Sequence, residues 1–460
     1  MTTQACHATL DDVAAQLAER RITSVELVEA CLAQIAKIDP DLSAYRRLFA
    51  DRALEQARAS DRRRNLEGAR SSIDGIPVSI KDVFCVAGYP ATAGSLVDAD
   101  VKARRTAAAI QRLERAGAVI LGAAHMDEFG LGHAPSRHLA TPRNPVDNAY
   151  ATGGSSSGSA AGVAAHLCFA SIVTDTAGSA RAPASYCGLV GFKPTRGWAS
   201  MTGAIGLAPS FDTVGILTRT VLDCHHVFQT MHGRSSMTDR DETRISRPAL
   251  SPLAGLDIGF LDERELEEVE PDVLSRYDTA VGLADNLGAR LRPWTWRGFA
   301  RASEVLSLIV RAEAAALHGH TVRADPCLVS KPVQDQLRRG LSVSATEYLH
   351  ALDEVRSLAS DFDRSVRPLA AVILPTCAET APRIADPEPM ISKRLPNRFR
   401  SPFNLAGAPA ITVPFGRGQN GMPIGVQIVA GRHHDERLLQ IARHFEVTSR
   451  RDESEKRDAG

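Results

Sequence analysis

The chain has 460 residues, and its 54 basic side chains balance its 54 acidic ones, for a formal net charge of zero. That balance argues against an electrostatic nucleic-acid or membrane surface, and no apolar run approaches the roughly 18 residues that a membrane span needs. Hydrophobic residues make up 44% and aromatic residues only 5%, so the core must be built from Ala, Val, Leu and Ile.

Residues 9–70 predict two or three amphipathic helices. Leu10, Val13 and Leu17, then Leu27, Cys31 and Ile35, fall at helical spacing, with Thr9 and Ser24 as N-caps. The basic runs Arg62-Arg63-Arg64 and Arg104-Arg105 fit solvated helix faces. Residues 71–225 carry the chemistry on short strands and loops. There a turn at Asp74-Gly75 feeds an apolar strand, Ile76 to Ile80. Ala160 onward reads as a buried helix. Residues 232–255 are polar with turn signals and predict an excursion. Residues 256–370 pair a strand, Leu256–Phe260, with helices over Ala300–His318 and Ala345–Val366. Residues 371–430 return to strands at Ala371–Leu374, Ala410–Val413 and Ile424–Val429.

Residues 153–188 hold two small-residue loops rich in hydroxyls, Gly153-Gly-Ser-Ser-Ser-Gly-Ser159 and Thr174-Asp-Thr-Ala-Gly-Ser179. Such loops turn backbone amides inward, to bind an anion or to stabilise an oxyanion beside a serine. Phosphate cradling lacks its Gly-Lys-Ser/Thr, and a flexible linker does not fit the apolar run that follows. The dinucleotide-like Gly416-Arg-Gly418-Gln-Asn-Gly421 precedes a strand and reads as a hairpin turn. Acyl transfer by serine remains, and it needs a base. The 14 histidines leave a Ser-His-Asp triad open, although Gly154-Ser-Ser156-Ser-Gly158 follows a poor strand for a nucleophile elbow. The alternative base is neutral Lys81 at the end of the 76–80 strand; against it stands an ordinary surface lysine paired to Asp82.

Gly75-Ile-Pro-Val-Ser-Ile-Lys81-Asp82 and the two serine loops resemble the amidase signature family of serine hydrolases. So do Gly191-Phe-Lys-Pro-Thr195, Phe211-Asp-Thr-Val-Gly215, Phe403-Asn-Leu-Ala-Gly407 and Gly421-Met-Pro-Ile-Gly-Val-Gln-Ile428. The resemblance runs from about residue 10 to about residue 448 and implies one α/β/α domain, 1–460, around a large mixed twisted sheet. Its implied parts are N-terminal helices (9–70), catalytic motifs (71–225), a variable substrate-shaping region (226–370) and a C-terminal return to the sheet (371–448).

By the same resemblance Ser179 is the acyl nucleophile, Ser155 a second serine preceded by a cis peptide, and Lys81 the general base. The N–H groups of Thr176, Ala177, Gly178 and Ser179 form the oxyanion hole. Candidates for substrate contact are Phe129, Ser156 and Arg181, the last with internal pairing as its alternative. Asp175 is a structural acceptor. Ala177 stands where the family usually has Gly, which raises the question whether its Cβ narrows the approach. The implied activity is cleavage of a small or medium amide, a carbamate or an ester. Against it stand the glutaminase subunit of a tRNA-dependent amidotransferase, which Met126-Asp-Glu-Phe129 resembles, and a non-catalytic binding protein. No metal or cofactor is called for. Expected partners are the amide substrate alone, with no nucleic acid and no membrane, and with a homodimer left open. The eight cysteines show no metal spacing and predict buried free thiols, and residues 1–7 show no secretory signal, so the expected compartment is the cytoplasm.

Overall fold

The computed structural model describes residues 5–97, 101–131, 140–232, 253–385 and 397–458. The expected excursion at 232–255 lies almost wholly outside them. Eleven strands form one mixed sheet in the order β1-β3-β2-β4-β6-β5-β10-β11-β9-β7-β8. These are β1 Tyr45–Leu48, β2 Pro77–Lys81, β3 Val119–Ala124, β4 Ala170–Thr174, β5 Val190–Lys193, β6 Val214–Thr218, β7 Asp257–Leu261, β8 Arg290–Trp294, β9 Ala371–Pro375, β10 Ala410–Arg417 and β11 Pro423–Val429. Parallel pairing joins β2 to β3 and β4, and β7 to β8 and β9; the other neighbours are antiparallel.

Every residue of β2, β3, β4, β5, β6, β9 and β11 is buried, which requires cover on both faces. Helices Ser157–Ala164 and Arg181–Cys187 pack on each other and against the middle strands. Helices Val221–His232 and Asp435–Asp458 form a second such pair. The molecule is therefore a three-layer α/β/α sandwich. Edge strand β8 is blunted by Pro293 and by Arg290 and Arg292, both paired to Asp257. Among the described residues no helix is long and apolar enough to cross a membrane.

The N-terminal helices run Leu10–Ala18 and Ser24–Leu42, each opened by a capping box. The second cap is Thr23, one residue before the expected Ser24, because Thr23 Oγ1 accepts from Glu26 N. The apolar stretch after Ala160 is not one helix. Helix Ser157–Ala164 stops, His166 turns at φ 59°, and β4 begins at Ala170. Gly416–Gly421 is a hairpin turn between antiparallel β10 and β11, closed by Gly418 N donating to Met422 O at 2.9 Å. Arg63 and Arg64 are not merely a solvated face: both reach the buried Asp74 turn that launches β2.

Candidate active site

β2 runs through the apolar interior and ends on Lys81, so the chain delivers an amine into the core. Lys81 is 1% exposed. Asp82 turns away and bonds Thr92, so the surface pair Lys81–Asp82 does not form. Lys81 Nζ lies 2.7 Å from Ser155 Oγ and 3.0 Å from Thr174 Oγ1, at the end of neighbouring β4. Ser155 Oγ lies 3.0 Å from Ser179 Oγ. The Gly154–Ser155 peptide is cis. Ser155 is buried, whereas Ser179 is partly exposed, so the row Lys81–Ser155–Ser179 runs from the core outward. Burial pushes the Lys81 ammonium down to about 8, against the upward pull of Asp127, Asp175 and Asp212. Burial thus favours the neutral form of this amine.

The loop after β4 is held by Asp175. Its carboxylate accepts from Gly178 N (2.8 Å), Ala180 N (3.1 Å), Arg181 Nε and Nη2 (3.0 and 2.9 Å) and Asn404 Nδ2 (2.8 Å). Burial pushes its pKa up, but Arg181, Lys193 and Asn404 outweigh that and hold it well below the usual carboxylate range. Two expectations change here. Arg181 does not face a substrate: it is 0% exposed and also donates to Arg400 O, Gln427 Oε1 and Asn404 Oδ1. It braces the loop that carries Ser179, as an arginine this deep must have its donors filled. The N–H of Gly178 is already given to Asp175, so it is not available to an oxyanion. Among the described residues no acceptor takes the N–H of Thr176, Ala177 or Ser179. Thr176 is fixed by its hydroxyl, which donates to Asp212 at 2.6 Å.

Phe129 lies in the loop that flanks Ser155, at φ 50°, stacked on His318 with ring centroids 4.3 Å apart. A Cβ on the next residue, Gly130, would lie 3.4 Å from Ser155 Oγ. His318, on helix Phe299–Ala324, is fixed by Gly206 O at 2.7 Å from Nε2, and burial lowers its pKa. Ser156 is fully buried, and its hydroxyl has no protein partner among the described residues.

Sequence reasoning missed the roles of Thr174, Asn404, Gln427, Arg400 and His318. The first three lie inside the motifs quoted above, and the signal was there without a geometry to interpret it. Arg400 lies against Gly178, and nothing in its sequence surroundings marks it. Among the described residues no group of three or more His, Cys, Asp or Glu is arranged to hold a metal ion.

The amidase family profile matches residues 26–439. The glutamyl-tRNA(Gln) amidotransferase A subunit of Neisseria meningitidis is 31% identical over 470 residues, covering 96% of this chain and 98% of that protein. A solved structure, described as a vestigial protein complex revealing the evolutionary origins of an s-triazine catabolic enzyme, superposes with a TM-score of 0.88 at 29% identity. It covers 96% of this chain and 98% of its own. A crystal structure described as an amidase gives 0.86 at 28% identity, covering 96% and 100%. With the profile matched over nearly its whole length, the chain belongs to the amidase signature family of hydrolases.

Proposed function

We propose that this enzyme cleaves the carbon–nitrogen bond of a small or medium amide through an acyl-enzyme on Ser179, with Ser155 as proton relay and Lys81 as base. The observation that carries the reading is the unbroken row from Lys81 Nζ to Ser155 Oγ to Ser179 Oγ, at 2.7 and 3.0 Å. With Lys81 charged, the row donates outward. Once Lys81 is neutral its lone pair accepts from Ser155, which in turn accepts from Ser179, and the Ser179 oxygen attacks the carbonyl carbon. The developing oxyanion is met by the N–H groups of Thr176, Ala177 and Ser179. The proton on Lys81 then returns through Ser155 to the leaving nitrogen, the C–N bond breaks, and the amine departs. Water attacks the acyl ester by the same relay and releases the carboxylic acid. Phe129 and His318 together form an apolar wall suited to the acyl group.

A fluorophosphonate, which phosphonylates an activated serine with loss of fluoride, is expected to label Ser179 when the peptides are read by mass spectrometry. Labelling elsewhere, together with an active Ser179→Ala enzyme, removes the assignment. A second reading, the glutaminase subunit of a tRNA-dependent amidotransferase, is favoured by the length of alignment with the Neisseria protein. Glutamine-dependent ammonia release, stimulated by a co-purifying partner, would select it over the stand-alone amidase.

A further inference from the structure

The segment Met126-Asp-Glu-Phe129 is only partly used by the mechanism above. Phe129 stacks on His318. Glu128 holds the loop, accepting from Ser95 Oγ at 2.8 Å and Ser330 N at 2.9 Å. Asp127 points inward to the triad. Its backbone N–H donates to Ser155 O at 3.1 Å. Its carboxylate lies directly over the Gly154–Ser155 peptide: a Cβ on Gly154 would come within 1.9 Å of Asp127 Oδ2. The same side chain thus touches the turn that presents Ser155 and acts electrostatically on the amine bonded to Ser155.

We propose that Asp127 is a positioning residue for Lys81: its carboxylate, packed over Gly154 and tied through its own backbone to Ser155, sets the pH at which the relay becomes armed. The claim rests on Lys81 being the base, as proposed above. The acidic groups that act on Lys81 come from three loops: Asp127 after β3, Asp175 after β4 and Asp212 before β6. Asp175 is locked ionised by Arg181, and Asp212 is bonded to Thr176, Leu207 N and Ala208 N. Lys81 and Ser157 are among the groups that act on Asp127. Burial raises Asp127 to about 7, while Lys81 and Ser157 pull it down. Burial raises Asp212 as well, whereas Arg181 holds Asp175 ionised, so Asp127 and Asp212 are the acids whose charge burial opposes, and of these only Asp127 packs on the Gly154–Ser155 peptide. An ionised Asp127 favours the protonated amine; removing that charge favours the neutral amine, which is the base.

The test needs no natural substrate, because the rate at which a fluorophosphonate labels Ser179 reports its activation. In the wild type this rate is expected to rise with pH as Lys81 loses its proton. In Asp127→Asn and Asp127→Ser the midpoint of the rising limb moves to lower pH by about half a unit or more, so the gain in labelling over wild type is largest near pH 8, where Asp127 is ionised in the wild type, and vanishes on the alkaline plateau. A limb that stays in place in either folded variant overturns the proposal. A failure of the underlying mechanism looks different: the limb then persists in Lys81→Ala. If neither Asp127 variant folds, carboxyl-labelled aspartate in the wild type gives the reading by carbon NMR. A carboxyl titrating in the neutral range, displaced upward in Lys81→Ala, supports the proposal; its absence overturns it.

Discussion

Two loops converge on Ser155 and Ser179, and each carries an aspartate near its start: Asp127, three residues after β3, and Asp175, directly after β4. Asp175 faces a guanidinium, two backbone N–H groups and an asparagine amide, and its charge is fixed. Asp127 faces an amine that burial has itself pushed toward neutrality, and its pKa is raised to about 7. The difference lies in the cation. Arginine stays charged wherever it is buried, so it fixes its partner, whereas lysine gives up its proton, so the pair can exchange charge states. One loop is therefore scaffold, and under the proposed mechanism the other borders the path of the moving proton.

The sharpest way to break that comparison is to make the two cations alike. Lys81→Arg keeps the charge but cannot accept a proton, so kcat is expected to fall by about 10³-fold or more with the fold intact by circular dichroism. Near-wild-type kcat/KM in a folded Lys81→Arg protein would show that the base lies elsewhere, and a histidine would have to be sought.

Removing the other cation strikes stability. Arg181→Met strands a fully buried Asp175, at an expected cost of about 3–5 kcal/mol in urea unfolding. The pH dependence carries a sign. Asp175 is ionised far below its unfolded value of about 3.9, so its stabilisation is complete above that pH and is lost as pH falls toward the folded value. In Arg181→Met the folded pKa rises, and the loss begins at higher pH. A variant as acid-resistant as the wild type would show that Asp175 does not depend on the guanidinium.

How much of this was legible in the sequence differs between the same two loops. Lys81 was readable as a candidate base from its Asp-Gly turn and apolar strand, but that context left a surface lysine paired to Asp82 equally open, and the family resemblance chose between them. Arg181 was readable only as a choice between a substrate carboxylate and internal pairing, because the sequence does not name the partners of a charged residue. Three of those partners, Arg400, Asn404 and Gln427, come from more than 200 residues away. Similarly, the strands β9, β10 and β11 were readable from apolar runs, and helix Ala345–Val366 matches its expected bounds. Helices Pro271–Asn286 and Lys331–Leu341 were not singled out, since their apolar stripes are narrow and surrounded by charge.

A smaller effect is expected at Gly178, the residue before Ser179. Its φ of 117° suits only glycine, and a Cβ there would meet Arg400 Cδ and Nε at 2.6 Å. Gly178→Ala is expected to cost about 1–3 kcal/mol of stability and to lower kcat while sparing surface structure, since the loop must shift at the nucleophile. Unchanged labelling of Ser179 in this variant would mean that the loop tolerates displacement, contrary to its role as scaffold.

The smallest effect belongs to the neighbouring Ala177, the position where a glycine was expected by resemblance. Ala177 is not among the residues with positive φ, so its Cβ strains nothing, and the methyl packs against the core. Its N–H is the same donor whether or not a Cβ is present. Ala177→Gly is therefore expected to leave kcat within a fewfold of the wild type. It should lower stability by about 0.4–1 kcal/mol, through the wider conformational freedom of glycine in the unfolded chain. Thermal unfolding and a panel of amides of increasing acyl size measure both. A gain of tenfold or more, confined to the bulkier acyl groups, would show that the Ala177 methyl narrows the pocket; an even profile would assign selectivity to the Phe129–His318 wall instead.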